Sequence, residues 1–314
     1  KGYSLVRMGL IRDLFAVQTL NLTQIGKVPD DCAVLVIAGA SKALPQEERE
    51  AIRDYLKNFG KLLLLTDPQP PVEIQQILSD WGIKINEGRV LDGKAYAVPD
   101  KRTPAVYRGS YPPIIIAREL DTTYFPEATS IDLTRELRRV VKADRVGKED
   151  QPEWPLNAIQ RDNMVMLPAL LTTQTSWMEK VTEATVDESG ETVEVENKEE
   201  GPLVIATMLL ASANLIGEKA TTSEKDKLTR IIAIGDSDFA TNTHVRNGGN
   251  GDLFLNSISW LAEEERLIDI RPKQYSFRRL VISQNATRFI RFSSLGLLPM
   301  LVLILGGAIW WKNR

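Results

Sequence analysis

The chain has 314 residues, of which 43% are hydrophobic and 26% are charged, and its formal net charge is -3. This composition excludes a disordered chain and a protein with several membrane spans, and it lacks the basic excess that marks nucleic-acid binders. Cys32 is the single cysteine, so an intrachain disulfide and a zinc site built from several thiolates are both excluded. No signal-peptide pattern begins at Lys1, and we expect that the numbering starts within a longer protein whose first strand lies upstream.

The N-terminal part of the chain alternates helix-like and strand-like stretches. Gly60 and Gly82 are expected to end two of the helices. Short apolar strands that lack alternation and are separated by helices favour a mostly parallel sheet, flanked by helices and buried on both faces. The pattern predicts helices over Tyr3–Phe15, Pro45–Asn58 and Val72–Trp81, and strands over Val17–Leu22, Ala33–Ala38 and Lys61–Thr66.

Two irregular excursions interrupt this pattern within an α/β domain that we assign to residues 1–266. The first covers about 89–155, and its initial part, 89–110, is rich in glycine, proline and charge. The second, 182–201, contains eight acidic residues and is interpreted as a solvated hairpin or loop. The sequence also predicts strands over Ile114–Ala117, Met164–Leu167, Leu203–Ala213 and Arg230–Ile234, and a helix over Gly251–Glu264.

An uncharged run near the C-terminal end predicts one transmembrane helix over residues 293–311. Its length reaches the roughly 20 residues that cross a hydrocarbon core of about 30 Å. Pro299, Gly306 and Gly307 give this span a small-residue face suited to packing on another helix. Residues 267–292 are interpreted as a juxtamembrane connector. Basic residues flank the span on both sides, so charge alone leaves its orientation open.

The segment Gly235-Asp236-Ser237-Asp238-Phe239 directly follows a predicted strand, and ligands bind at strand ends in open α/β sheets. Ser237 could be an esterase-type nucleophile, but His244 is the single histidine and is not a convincing triad partner. Asp236, Asp238 and Asp252 could bind Mg²⁺ or Ca²⁺, although their spacing is not that of a calcium loop. The favoured interpretation is that Asp236 and Asp238 cap turns, with no bound metal.

Other candidate motifs give no catalytic site. Cys32 precedes its strand, and the neighbouring Asp30 and Asp31 are expected to raise the pKa of its thiol. An amidotransferase-like nucleophile would follow the strand that ends near Leu65, where Thr66-Asp67-Pro68 is found instead. The glycine-rich run 248–251 lacks the spacing of a phosphate-binding loop. The sequence therefore predicts a protein without enzymatic activity or cofactor.

The segment Arg230–Phe239, with Asp252–Leu261 and Ile268–Lys273, resembles the GldG-type auxiliary components of ABC transporters, a gliding-motility-associated family that shares a domain with an intraflagellar-transport subunit. Thr172–Trp177 and the first predicted α/β units are also similar to that family. The matching signature residues are Gly235, Asp236, Ser237, Asp238, Phe239, Asn256 and Trp260.

The resemblance implies a class I glutamine-amidotransferase-like or flavodoxin-like domain that has lost its catalytic residues. It places this domain on the periplasmic side of a bacterial cell membrane, with residues 312–314 in the cytoplasm. The expected partners are an ABC permease, its ATPase and membrane lipid. Association with a second copy of the chain or with a paralogous subunit is left open. Binding to nucleic acid is not expected. Two alternatives also stay open: an extracytoplasmic hydrolase or carbohydrate-binding protein on the same fold, and a pure scaffold.

Overall fold

The computed structural model describes residues 2–144, 156–161, 163–179, 199–212 and 227–263, with isolated positions at 292, 293, 296 and 300. The helices are α1 (Ser4–Arg12), α2 (Leu22–Ile25), α3 (Gln46–Lys57), α4 (Val72–Ser79), α5 (Arg135–Asp144) and α6 (Asn250–Leu261). The strands are β1 (Leu35–Ala38), β2 (Lys61–Leu65), β3 (Ile83–Ile85), β4 (Arg89–Asp92), β5 (Ala105–Val106), β6 (Thr123–Tyr124), β7 (Ile131–Leu133), β8 (Ile159–Arg161), β9 (Met164–Leu171), β10 (Ser176–Glu179), β11 (Glu199–Glu200), β12 (Val204–Ser212) and β13 (Leu228–Ile234).

A six-stranded sheet with the order β1-β2-β13-β12-β9-β8 forms the centre of the fold. Strands β1, β2 and β13 are parallel, whereas β12, β9 and β8 continue the sheet in antiparallel pairings. The predicted α/β class is therefore confirmed, but the prediction of a mostly parallel sheet is wrong for its second half. Parallel neighbours need a crossover connection of a dozen or more residues, and only two residues separate β8 from β9.

The sheet is buried on both faces, as the unbroken apolar strands predict. In β2, Leu63 and Leu65 belong to one hydrophobic cluster, while Leu62 and Leu64 belong to another. This alternation follows from the two-residue period of a strand. Side chains of α1 and α6 complete the first cluster, and side chains of α3 and α4 complete the second.

Two predicted strands are not strands. Residues 17–21 form no strand, and α2 begins at Leu22. Val17 packs with the cluster of α1 and α6, whereas Leu20 packs with the cluster of α3 and α4, so this segment passes from one face of the sheet to the other. The run Ile114–Ala117 forms a short 3₁₀ helix over Ile115–Ala117 instead of a strand. Its apolar side chains indicate burial, and burial alone does not distinguish a strand from a helical turn.

The helix ends differ in part from the predicted ones. Gly82, after α4, has a φ of +76°, which agrees with its predicted role at a helix end. After α3, however, the left-handed residue is Phe59, with a φ of +61°, and Gly60 is the next residue. Glycine is required there because a Cβ on Gly60 would lie 2.4 Å from the carbonyl oxygen of Tyr55.

The excursion predicted over about 89–155 contains short paired strands. β4 joins β10 and β11 in a three-stranded sheet, β5 pairs with β6, and β7 pairs with β3. The acidic stretch 182–201 lies outside the described residues, except for its last three positions.

The predicted connector 267–292 and span 293–311, with Pro299, Gly306 and Gly307, lie outside the described residues apart from the four isolated positions. Within the described part of the chain, no helix is long and apolar enough to cross a membrane.

Candidate functional site

The carboxyl ends of β2 and β13 bring Asp67 and Ser237 together. The backbone N–H of Ser237 donates to Asp67 Oδ1 at 2.9 Å, and the Ser237 hydroxyl donates to Asp67 Oδ2, also at 2.9 Å. Both contacts form because β2 and β13 are parallel neighbours whose carboxyl ends lie side by side. A bidentate contact therefore joins two loops at the edge of the sheet where α/β proteins bind ligands.

Three carboxylates lie close together at this edge. One oxygen each of Asp67, Asp236 and Asp238 lies within 4.8 Å of the others. Asp236 is fully buried, and its Oδ1 accepts from the backbone N–H of Asp238 at 2.6 Å. This is the turn-capping contact that the sequence predicts for Asp236.

The structure brings together only two of the three aspartates that the sequence suggests as metal ligands. Asp236 and Asp238 are neighbours in the cluster, but Asp252 is an exposed residue in the first turn of α6 and is not part of it. The third carboxylate of the cluster is that of Asp67. Such oxygen ligands suit Mg²⁺ or Ca²⁺, but oxygens of Asp67 and Asp236 already accept hydrogen bonds from the loop 236–238.

Ser237 is the candidate nucleophile, and its side chain is fully buried. Its hydroxyl donates to a carboxylate, so the described contact is not the serine–imidazole pair of a hydrolase. His244 follows in the same loop, where its Nδ1 lies 3.2 Å from Asn247 Nδ2. This geometry holds the serine in place but does not present it to a substrate.

Residues at the start of the chain cover the same edge. The Tyr3 hydroxyl donates to the carbonyl oxygen of Ser237 at 3.3 Å. Asn242 Oδ1 accepts from the backbone N–H of Leu5 at 2.9 Å, which ties the first turn of α1 to the loop after β13. Gly39, at the end of β1, has a φ of +62°, and a Cβ there would lie 2.8 Å from Ser237 Oγ. A larger residue at position 39 would therefore disturb the contact between Asp67 and Ser237.

Gly235 is required for a close approach of two backbones. The N–H of Thr129 donates to its carbonyl oxygen at 2.6 Å, and a Cβ on Gly235 would lie 2.1 Å from the carbonyl oxygen of Thr129. A side chain cannot be accommodated at such a distance. The glycine of the signature thus lets the excursion that contains β7 dock against the end of β13.

The other signature residues hold the fold together. Phe239 is fully buried and packs on Phe125, with ring centroids 5.7 Å apart. Asn256 Nδ2 donates to the carbonyl oxygen of Ile116 at 3.1 Å. Trp260 lies under the guanidinium of Arg230, whose carbon is 5.0 Å from the ring centroid. These contacts give the signature a structural explanation without a ligand.

Sequence reasoning missed the buried Asn250, in the first turn of α6. Its Oδ1 accepts from the N–H of Tyr124, and its Nδ2 donates to the carbonyl oxygens of Tyr124, Phe239 and His244. One amide therefore joins β6 to the loop that follows the signature. Its place at the start of an apolar helix is the sequence signal that could have drawn attention to it.

Asp92 is a second missed residue, and it is fully buried at the end of β4. Its Oδ1 accepts from the backbone N–H groups of Lys94 and Ala95 and from the hydroxyls of Thr173 and Thr175, and its Oδ2 accepts from the N–H of Thr173. Five donors therefore satisfy this buried charge. The threonine-rich segment Thr172–Trp177, singled out in the sequence, thus has a structural partner in the excursion.

A cavity of about 780 Å³ lies at the opposite, amino-terminal ends of β1 and β2, lined among others by Cys32, Asp54 and Tyr55. Burial raises the pKa of the Cys32 thiol, and the charge of Asp31 raises it further. The raised pKa agrees with the sequence-based expectation, but burial contributes more than charge. A thiol with a raised pKa is mostly protonated at neutral pH, so Cys32 is not an activated nucleophile.

Comparison with known proteins found one matching family model and five similar chains among solved structures. A family model described as "ABC-type uncharacterized transport system" (ABC_transp_aux) matches residues 6–136. This match supports a relationship to auxiliary components of ABC transport systems, over less than half of the chain. A search of curated proteins found no match.

A solved structure, "mmIFT52 N-terminal domain", is similar with a TM-score of 0.52 and 12% sequence identity. The similarity covers 83% of this chain and 91% of that one. At this identity the likeness concerns the fold alone. The mixed sheet and its flanking helices are therefore an architecture that a distant sequence also adopts.

Proposed function

We propose that this protein is a non-catalytic, membrane-anchored auxiliary subunit of an ABC transport system, of the GldG type associated with gliding motility. The observation that carries the proposal is the family match over residues 6–136, which covers α1 to the start of α5. In this proposal residues 1–266 form the periplasmic body, 293–311 the anchor and 312–314 its cytoplasmic end. The body acts through contacts with protein partners.

The geometry at the strand ends supports a non-catalytic role. Ser237 is buried and bonded to Asp67, and Tyr3 covers the backbone beside it. A catalytic serine needs a base within hydrogen-bond reach and access to its substrate. A buried hydroxyl bonded to a carboxylate suits a structural role better.

The proposed partners are a permease with several membrane spans and its ATPase, with a second copy or a paralogous subunit as a further component. Pro299, Gly306 and Gly307 would allow the anchor to pack closely on a permease helix, because small residues let two membrane helices approach. In this arrangement the anchor is also the docking element.

Affinity purification of the full chain from its native membrane in a mild detergent tests the proposal. We expect an ATPase and a permease to be recovered with it. Replacing Gly306 and Gly307 with leucine should reduce this recovery without preventing membrane insertion, whereas Leu297→Ile is the matched control that keeps the small-residue face. Recovery of the chain without either partner would contradict the proposal, and genes for an ATPase and a permease beside its own would distinguish transport from a pure scaffold.

One alternative, an extracytoplasmic hydrolase or carbohydrate-binding protein, would have its site at the polar cluster of Asp67, Asp236 and Ser237. This alternative predicts that Ser237→Ala abolishes an esterase or glycan-binding activity of the purified chain while its fold persists. If the chain shows no such activity, or if the activity is unchanged in the variant, the alternative is wrong.

A further inference from the structure

Helix α1 presents an apolar strip to solvent. Met8 is 57% exposed, Ile11 is 52% exposed and Leu14, just beyond the helix, is 92% exposed. The opposite face of α1 packs on the core through the buried Val6 and Leu10. Because the helix is already anchored by that face, the fold does not need the three exposed apolar side chains.

Leu14 is also in an unfavourable backbone conformation. Its φ is +66°, and the N–H of Phe15 donates to the carbonyl oxygen of Leu10, which is the bonding pattern of a left-handed helix end. Glycine is preferred at that position because a side chain is strained there. A strained leucine that is almost fully exposed does not stabilise this chain by packing. A contact with another molecule is therefore the better explanation for a leucine at this position.

Basic residues lie on both sides of the strip. A helical period of 3.6 residues places Arg7 beside Ile11 on one side and Arg12 beside Met8 on the other, and both arginines are exposed. Asp13 lies 3.7 Å from Arg12, but the Asp13 side chain is only 9% exposed whereas that of Arg12 is 51% exposed. The surface is therefore apolar in its centre and positively charged at its margins.

This pattern favours an anionic lipid surface over a second copy of the chain. Short amphipathic helices lie in the membrane interface with apolar side chains among the acyl chains and basic side chains at anionic headgroups. A symmetric contact between two α1 helices would bury the strip but would bring like charges, Arg7 and Arg12, close to their own copies. We propose that α1 binds an anionic membrane surface through Met8, Ile11 and Leu14.

The proposal does not rest on the proposed transport function, and it is tested on the full chain with an environment-sensitive fluorophore. The label is placed on Ile11→Cys in a Cys32→Ser background, with Gln46→Cys on α3 as the matched exposed control. Each protein is mixed or reconstituted with vesicles of phosphatidylcholine alone, or of equal parts phosphatidylcholine and phosphatidylglycerol. We expect a blue shift at position 11, and quenching by nitroxide-bearing lipids, only in the vesicles with phosphatidylglycerol.

Two further variants make the result specific. Arg7→Glu with Arg12→Glu should abolish the shift by removing the attraction to the headgroups. Met8→Ser with Leu14→Gly should abolish it by removing apolar contact, and the glycine relieves backbone strain, so the fold is expected to persist. A label that stays in water in both kinds of vesicle overturns the proposal. An equal shift in both kinds of vesicle also overturns it, because anionic headgroups would then have no role. A blue shift in buffer without vesicles overturns it as well and assigns the strip to a second copy.

Discussion

Asp67 binds Ser237 with both oxygens of its carboxylate, one to the backbone N–H and one to the hydroxyl. The two residues are 170 positions apart, and the contact joins the loops that follow two neighbouring parallel strands. It fixes the conformation of the segment Gly235–Phe239 at the edge of the sheet. The most distinctive motif of the sequence is thus held by a residue that lies outside the motif.

The first prediction concerns this contact. Asp67→Ala should lower the free energy of unfolding by about 1–3 kcal/mol, because the N–H and the hydroxyl of Ser237 lose a charged acceptor in a buried place. Asp31→Ala, at an exposed position, is the matched control and should change it by less than about 0.5 kcal/mol. Urea denaturation followed by circular dichroism measures both. Equal effects of the two substitutions would show that the contact is not stabilising.

The second prediction concerns Asp92, which satisfies five donors inside the excursion. Asp92→Ala should destabilise the protein by about 3 kcal/mol, because these donors become unsatisfied in a buried site. Asp92→Asn keeps the shape but turns one acceptor into a donor, so it should be almost as harmful. A near-neutral asparagine variant, in the same urea titration, would mean that shape and not hydrogen bonding holds Thr172–Trp177.

The third prediction concerns the end of α1. Leu14→Gly should raise the free energy of unfolding by about 0.5–1 kcal/mol, because glycine adopts a positive φ without strain and an exposed leucine loses no packing. Leu14→Ala is the control, since it removes the same apolar side chain but keeps the strained backbone, and it should be near neutral. Thermal unfolding by calorimetry compares the three proteins. If the glycine variant is no more stable than the alanine variant, the positive φ at position 14 is not a source of strain; if both are less stable than the original chain, Leu14 has a packing role.

The fourth prediction concerns alkaline pH. Burial raises the pKa of Tyr55 to about 12, whereas a tyrosine in an unfolded chain titrates near 10. As the pH rises from about 10 to about 12, the unfolded chain loses this proton while the folded chain keeps it. The stabilising contribution is therefore complete below pH 10 and is lost across this window.

Tyr55→Phe removes the ionisable group and should flatten the fall of unfolding free energy between about pH 10 and pH 12. Tyr124, whose pKa burial also raises to about 12, provides a parallel variant, Tyr124→Phe. The phenolate absorbance of these two tyrosines in the folded protein should correspondingly appear at a higher pH than that of tyrosines in the unfolded chain. An unchanged slope in both variants would show that these side chains are not desolvated.

Local signals explain why the sequence predicts the parallel half of the fold correctly. The apolar run at β2 and the acidic first turn of α3, Glu47 and Glu48, each lie within a few residues and need no partner to be recognised. The direction of a strand leaves no such local signal. β9 and β12 carry apolar side chains on both faces, so their sequences are compatible with parallel and antiparallel neighbours alike.

The site was predictable only in part for a related reason. The segment Gly235–Phe239 stands out because it follows a strand, and Asp236 caps a turn as its residue type suggests. Asp67 also follows a strand, but its importance depends on β2 being the neighbour of β13. Asp92 and Asn250 depend on tertiary contacts with segments far along the chain, which no short pattern encodes.

The hydrogen bonds from Tyr3 to Ser237 and from Leu5 to Asn242 have a consequence for regulation. They make the first turn of α1 and the loop after β13 one cooperative unit. A partner or lipid surface that pulls α1 away must break these bonds and release the loop. Thermodynamic linkage is reciprocal, so a ligand that reshapes the loop must change the affinity of α1 for its own partner by the same factor.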